Sequence, residues 1–246
     1  MQQIKIISLN IEFNKHHSRI FPFFFNENPD VILMQEVLEE DLPLFKKNLQ
    51  MDFIFTPLAK LKLSGSIKPL GIAIFSKYKI IKSEIVYYRG EENAIPVIDQ
   101  SEPEKMIRAI LVTSLEKDSE EFCFINTHFT WADGGVPTQV QEDDLEKMLK
   151  LLENYENFIL AGDFNAPRGM AIFDKLASIY KDNIPQNIKT TIDKNIHRAG
   201  DLGIVVDGLF TTNGYLAENV RVVDGMSDHC AVVANIKRVD KNTVLV

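Results

Sequence analysis

The chain reads as an α/β protein of two mixed β-sheets packed face to face, with helices outside. Three observations predict this. Eleven strand-like runs stand against four helical ones, a ratio that a purely parallel βαβ repeat does not accommodate. The block from Phe53 to His128 is nearly all strand, which implies antiparallel hairpins. The 246 residues, 45% hydrophobic and 25% charged, suffice for one substantial core, so residues 1–246 are expected to form a single domain.

The elements follow in order. Ile4–Ile11 alternates apolar and polar residues and opens the chain as a strand. Lys15–Asn26 is the first helix, and its Ile20 and Phe21–Phe25 are read as core packing. Asp30–Gln35 is a short apolar strand, and Glu39–Leu49 the second helix. Phe53–Thr56, Gly71–Ser76, Ile80–Tyr88, Met106–Leu115 and Phe122–His128 are strands rich in Ile, Val and Phe. Gln139–Glu153 is the third helix, with Val140, Leu145, Met148, Leu149 and Leu152 at helical spacing. Asn157–Ala161 is a strand and Met170–Ser178 the fourth helix. Gly203–Thr211, Asn219–Val223 and Cys230–Ile236 close the chain as strands. Three long segments stay irregular: Arg89–Lys105, Phe129–Thr138 and Tyr180–Leu202. Loops of that length in a compact domain often carry function.

Composition excludes several classes. The longest apolar runs, such as Phe21–Phe25 and Val31–Met34, are far short of a membrane span. The start has no basic, apolar and small-residue succession, so a signal peptide is not expected. Cys123 and Cys230 sit in strand-like runs, which suggests reduced thiols and a cytoplasmic protein. No obligate protein partner is expected. A net charge of −8 argues against coating nucleic acid through bulk positive charge. It leaves room for local binding of a phosphate segment. Phe53–Ser83 holds six lysines (Lys60, Lys62, Lys68, Lys77, Lys79, Lys82) and no acid. They are read as a solvated face, with a rim attracting a phosphorylated substrate as the sharper alternative.

Polar residues recur where strands stop: Asn10, Glu36, His128, Asp163 with Asn165, and Asp228 with His229. Taken singly, each has an ordinary structural reading. Asn10 could close a turn, Glu36 could start a helix, and Gly162-Asp163-Phe164-Asn165 has turn composition. Asp207 is harder to dismiss. A carboxylate inside Ile204–Phe210 loses its hydration, at a cost of several kcal/mol on the order of that for any buried ion, unless a partner such as a histidine offsets it.

As an ordered set, Leu9-Asn10, Gln35-Glu36-Val37, Asn126-Thr127-His128-Phe129, Gly162-Asp163-Phe164-Asn165 and Ser227-Asp228-His229 strongly resemble the endonuclease/exonuclease/phosphatase superfamily. That superfamily includes pancreatic deoxyribonuclease, apurinic endonucleases, sphingomyelinases and inositol polyphosphate phosphatases. The resemblance runs from Asn10 to Val233 and implies a deoxyribonuclease-like, four-layer sandwich of two mixed β-sheets flanked by helices.

The resemblance also implies roles. Glu36 would be the main ligand of Mg²⁺, with Mn²⁺ as an alternative, beside Asn10. Asp228 would be a further carboxylate near the metal. Oxygen ligands with only one or two carboxylates suit that ion. Asp163 would orient or deprotonate the attacking water. Asn165, sharing its face in an extended backbone, would bond the phosphate or the nucleophile. His128 and His229 would donate to phosphoryl oxygens as charge grows. Asp207 would fix the tautomer of His229. Arg108 would reach the phosphate or brace Glu36.

Two departures from the family pattern stand out. Gly208 replaces an aromatic residue after Asp207 and implies extra space near the site. Gln139 and Gln141, with Glu142, Asp143 and Asp144 nearby, lie where many family nucleases carry an arginine, which weakens a long DNA contact there. Trp131 is either an aromatic lid or a stacking platform for a base or sugar. His197 and Arg198 are further candidates for substrate contact within a segment otherwise read as a polar surface loop.

The expected activity is therefore hydrolysis of a nucleic-acid or nucleotide-conjugate phosphodiester, with single-stranded or damaged nucleic acid as candidate substrates. A small-molecule or lipid-derived phosphoester is the alternative. A non-catalytic binding protein on the same fold should have lost Glu36, Asp163, Asp207 or His229, and none is lost.

Overall fold

The structure, a computed structural model, describes residues 3–239. The elements in chain order are β1 (Ile4–Asn10), α1 (His17–Glu27), β2 (Val31–Leu38), α2 (Leu42–Leu49), β3 (Asp52–Leu63), β4 (Ser66–Ser76), β5 (Lys79–Arg89) and β6 (Val97–Ile98). They continue with β7 (Arg108–Lys117), β8 (Glu120–His128), α3 (Gln139–Leu152), β9 (Ile159–Asp163), α4 (Ala171–Ile179), β10 (Lys181–Asp182), β11 (Asp207–Thr211), β12 (Tyr215–Val223) and β13 (Ala231–Arg238). A seven-stranded sheet has the order β12-β13-β1-β2-β4-β3-β6, and a six-stranded sheet has the order β10-β11-β9-β8-β7-β5. Both are mixed: β1 runs parallel to β2 and β8 parallel to β9, while the remaining long pairs are antiparallel.

The layers follow from residue parity. Central strands are apolar on both faces, so they read as continuous runs rather than alternations. In β1, Ile4 and Ile6 point between the sheets, while Ile7 and Leu9 face α1 and α2. In β8 and β9, Phe124, Ile159 and Ala161 join the core between the sheets, while Ile125 and Leu160 pack under α3 and α4. Three buried clusters therefore separate four layers, helix–sheet–sheet–helix. No helix among the described residues is long and apolar enough to cross a membrane.

The central hairpin is longer than the sequence suggests. β3 passes through Pro57, because Pro57 sits at a bulge where its missing N–H breaks no ladder bond. Ser64 (φ 50) and Gly65 (φ 79) turn the hairpin as a left-handed pair, the geometry that two-residue connections need. Gly203–Thr211 is shorter than expected as a strand: β11 begins only at Asp207. The carbonyls of Ile204, Val205 and Val206 accept instead from Thr191, Arg168 and Phe164, so that segment is satisfied by loops rather than a ladder. The helix expected over Glu39–Leu49 splits into a 3₁₀ turn at Glu39–Asp41 and then α2.

One glycine fixes the spacing of the second sheet. A Cβ on Gly162 would lie 2.0 Å from the carbonyl oxygen of Thr127 on the neighbouring strand. Gly162→Ala must therefore push β8 and β9 apart next to His128 and Asp163. We expect a loss of at least about 2 kcal/mol, as for overpacked cores, read as a lowered urea midpoint. An unchanged midpoint would show that the strands can yield there without loss.

Candidate active site

Strand direction gathers the polar residues at one end of both sheets. Asn10 ends β1, and His128 and Asp163 end the parallel pair β8 and β9, where they stand opposite each other. Asp207 starts the antiparallel β11, also opposite Asp163. Asp228 and His229 immediately precede β13. Glu36 arrives by a different device. Between Met34 and Val37 the β2–β4 register slips, so two residues, Gln35 and Glu36, face one. Glu36 takes the left-handed conformation (φ 55). Such a bulge re-aims a side chain at the cost of backbone strain, a combination common at functional sites.

Asn10 joins the two sheets' carboxylates. Its Nδ2 donates to Glu36 Oε1 at 3.2 Å and to Asp163 Oδ2 at 3.1 Å. The other oxygen of Asp163 accepts the backbone N–H of Asn165 at 2.8 Å. Nε2 of His128 lies 3.5 Å and Nε2 of His229 3.7 Å from Asp163 Oδ2. On its far side His229 Nδ1 lies 2.9 Å from Asp207 Oδ2. The Thr191 hydroxyl accepts the backbone N–H groups of Val206 and Asp207, fixing the start of β11.

These neighbours set the charges. Burial alone would raise the Asp163 carboxyl, but His229 and His128 outweigh it and hold it below the usual carboxylate range. Burial would lower the His229 imidazole; Asp207 and Asp163 reverse that and hold it well above the ordinary histidine value. His128 is pushed down to about 3, chiefly by burial. Burial, followed by the nearby Asp228, raises Glu36 to about 7. The two imidazoles should therefore titrate in opposite directions. In the metal-free protein, ¹⁵N spectra should show His128 neutral at pH 5 and His229 cationic at pH 8. A shared midpoint near 6.5 would remove this electrostatic assignment.

Other expected positions are placed as follows. Asn165 lies beyond β9, which ends at Asp163, and is left-handed (φ 49) rather than extended. Its Nδ2 donates to the Phe129 carbonyl, so it pins the loop after β8. Arg108, expected to reach a phosphate or brace Glu36, lies fully buried behind His128. Its guanidinium donates to the carbonyls of His128 and Pro103, and its Nε has no partner. Asp228 is partly exposed and accepts from the Ser227 hydroxyl. Trp131 is half-buried in the loop following His128. His197 is half-buried, its Nδ1 accepting the Ala199 N–H; burial lowers it, and the nearby Asp228 opposes that. Arg198 is exposed. Gly208 opens no space: a Cβ there would meet Phe210 and Phe164 at 2.6 and 2.8 Å. Of the six lysines, Lys62, Lys68 and Lys82 pair with Asp99, Glu40 and Glu84.

Sequence reasoning missed residues that hold the site from behind. Gln141 is buried and donates to the carbonyls of Thr130 and Asn165, pinning both loops from α3. Asp144 is buried too, bonded to Thr130 and Arg89. Asp193, in the segment read as a surface loop, is buried. It accepts from Gly225 at 2.7 Å, and its own N–H donates to the carbonyl of Asp228. The buried Ile192 between Thr191 and Asp193 was the available signal, since it anchors that loop.

Among the described residues, two places could hold a cation. Ligand atoms of Asp163, Asp207 and His229 lie within 4.8 Å of one another. His229 is already bonded to Asp207 and carries positive charge, which opposes a second cation there. Glu36 is the better fit. Its raised carboxyl beside Asp228 is an all-oxygen pair short of positive charge, which suits a hard divalent ion. Asn10, expected to ligate beside it, instead turns its Nδ2 to Glu36, while its Oδ1 accepts the Glu12 backbone N–H at 3.2 Å.

The profile of the Endonuclease/Exonuclease/phosphatase family matches residues 7–229. No curated protein matches the sequence. Solved structures align over nearly the whole chain. An endonuclease/exonuclease/phosphatase from Bacteroides vulgatus has 14% identity and a TM-score of 0.76, covering 97% of this chain and 100% of that one. The human Nocturnin catalytic domain with bound sulfate has 17% identity and a TM-score of 0.74, covering 96% and 94%. D. rerio TDP2 complexed with a single-strand DNA product has 14% identity and a TM-score of 0.68, covering 96% and 100%.

Proposed function

Because the chain belongs to the endonuclease/exonuclease/phosphatase family, we propose that it is a divalent-metal-dependent phosphoester hydrolase, one domain acting on a nucleic-acid or nucleotide-conjugate phosphodiester. One observation carries the reading. The Asn10 amide joins Glu36, short of positive charge, to Asp163, held anionic between two histidines. Hydrolysis of a phosphoester needs those two properties side by side: charge compensation for oxygen and an acceptor for a water proton.

The residues divide the work. Asp163 Oδ2 accepts a proton from water as its oxygen attacks phosphorus. Asn10 and the Asn165 N–H hold that carboxylate in place. His229, cationic and oriented by Asp207, donates from Nε2 to a phosphoryl oxygen as charge accumulates. His128, neutral, adds a dipole to the same region without a second cation. Glu36 and Asp228 would hold a Mg²⁺ or Mn²⁺, with Asn10 fixing the Glu36 carboxylate, and the ion would supply positive charge beside the leaving oxygen. The bond from that oxygen to phosphorus breaks as the bond to water forms.

The substrate class rests on what surrounds this centre. Half-buried Trp131 follows His128 directly, and a ring there can carry a base. The β3–β4 hairpin continues past the end of β2, where Leu70 pairs with Leu38, and brings Lys60, Lys62 and Lys68 to the end that holds Glu36. TDP2, of the same fold, was solved with a single-strand DNA product. His197 and Arg198 complete the proposed contacts. We place the protein in the cytoplasm, as the strand-borne thiols Cys123 and Cys230 suggest.

The test is hydrolysis with Mg²⁺, Mn²⁺ or EDTA across single-stranded DNA, abasic duplex, RNA, a nucleotide diester, an inositol phosphate and sphingomyelin. We expect EDTA-sensitive cleavage of a nucleic-acid or nucleotide member. Cleavage of only the inositol or lipid member would replace the substrate class. Inactivity throughout, with no metal bound, would overturn the hydrolase reading.

A further inference from the structure

The proposed site is split between two sheets. Asn10 and Glu36 come from the seven-stranded sheet, and Asp228 and His229 lead into its β13. His128, Asp163 and Asp207 come from the six-stranded sheet. Between the sheets lies an apolar cluster of side chains such as Ile6, Leu33, Ile72, Leu111 and Phe124. Apolar packing is non-directional and tolerates small slips. A slip of even an ångström would separate Glu36 from Asp163.

A directional tie crosses that layer directly beneath Glu36. Gln35 on β2 and Asn126 on β8 are both fully buried. Gln35 Nε2 donates to Asn126 Oδ1 at 2.7 Å. The Nδ2 of Asn126 donates to the carbonyls of Met34 and Ala73, each at 2.9 Å. Met34 and Ala73 are the last cross-strand pair before the β2 bulge. One side chain of the second sheet therefore closes the edge of the irregularity that turns Glu36 to φ 55. The tie is not made for stability alone. Gln35 Oε1 is buried without a partner, an unfavourable arrangement that an apolar pair would avoid.

We propose that Gln35 and Asn126 are positioning residues: an amide clasp between the sheets that holds the β2 bulge and so sets Glu36 against Asp163. The proposal rests on the reading of Glu36 and Asp163 as two halves of one hydrolytic site. The clasp itself touches neither substrate nor metal. It acts through the bulge, and the Asn10 bridge between Glu36 and Asp163 reports its state.

The test uses Asn126→Leu in the full chain, with Phe124→Leu as a neighbouring core variant that loses packing but no clasp. Two readouts are taken on folded protein. One is Mn²⁺ affinity, by titration of the free-ion EPR signal. The other is hydrogen exchange of the Asn10 side-chain amide in the metal-free protein. We expect Asn126→Leu to weaken Mn²⁺ binding by about 10–100-fold, the range seen for residues that orient ligands. Exchange at Asn10 should quicken, while Phe124→Leu lowers the melting temperature and leaves both readouts near wild type. Should Asn126→Leu not fold, Gln35→Met, which removes the bond between the two amides but keeps both bonds from Asn126 to the bulge edge, is read instead: a smaller loss of Mn²⁺ affinity with faster Asn10 exchange supports the clasp, and wild-type values for both overturn it. An Asn126→Leu protein that loses only thermal stability, like Phe124→Leu, overturns the clasp. A wild-type protein that binds no Mn²⁺, but whose Asn10 protection still collapses in Asn126→Leu, supports the clasp and rejects the hydrolase reading instead.

Discussion

Asp163→Asn should lower turnover by about 10³–10⁴-fold while the protein still folds, the loss expected when a positioned proton acceptor is removed. The substitution is nearly isosteric and keeps an oxygen for one of the two N–H donors on the carboxylate, Asn10 Nδ2 or the Asn165 backbone. The amide NH₂ then faces the other donor, so a modest loss of stability is expected as well. The chemical effect is far larger. An amide cannot take a proton from water, and the anion that helps hold His229 charged is gone. Two measurements separate this role from a structural one. Single-turnover rates at saturating metal should fall, with Mn²⁺ affinity close to wild type. The His229 imidazole should titrate at lower pH than in the wild type yet stay above the ordinary value, because Asp207 remains at 2.9 Å. Wild-type turnover in this variant would remove Asp163 from the reaction.

Much of this arrangement is legible in sequence, for a physical reason. The side chains of the proposed site sit at strand ends, so most appear as polar residues closing an apolar run: Asn10 after Leu9, His128 at the end of the strand that carries Phe122, Phe124 and Ile125, Asp163 after Ile159–Gly162. Asp207 stands out by the same logic, a charge inside a run that is otherwise buried. The two-sheet architecture is legible too, because strands with both faces buried read as continuous Ile, Val and Leu. What the sequence does not expose is any contact made across the layers. Thr191 and Asp193 look like polar loop residues, yet both are buried and carry the backbone of β11 and the turn before His229. Gln141 looks like a surface glutamine on an acidic helix, and it pins the two loops after β8 and β9. Arg108 looks like a phosphate ligand, and it lies behind His128 as a buried cation. Local pattern reports burial by period. It does not report which distant backbone carbonyl a buried amide or guanidinium will satisfy.

The bulge at Glu36 shows the same limit from the energetic side and leads to the second large effect. Glu36→Gln should stabilise the metal-free protein and abolish its response to Mg²⁺. The carboxyl is raised to about 7 when folded, by burial and then by Asp228, against 4.5 for an ordinary glutamate. A carboxyl whose folded value is raised binds its proton more tightly folded than unfolded. Its ionised form therefore opposes folding. The penalty is absent below pH 4.5, grows as pH rises, and is complete above pH 7. At pH 8 it is worth about 3 kcal/mol. Glutamine keeps an oxygen to accept from Asn10 and carries no charge, so the variant should unfold at higher urea than the wild type at pH 8 and at similar urea at pH 4. Magnesium should reverse the order. Binding only the folded wild type, it adds about 2.7 kcal/mol at a hundred times its dissociation constant. Glu36→Gln, lacking the anionic ligand, should gain little. Urea midpoints at pH 4 and 8, with and without Mg²⁺, test this in one experiment. A variant less stable than the metal-free wild type at pH 8 would mean that Glu36 is already compensated by groups within the fold, and the argument for a cation at this carboxylate would lose its physical basis.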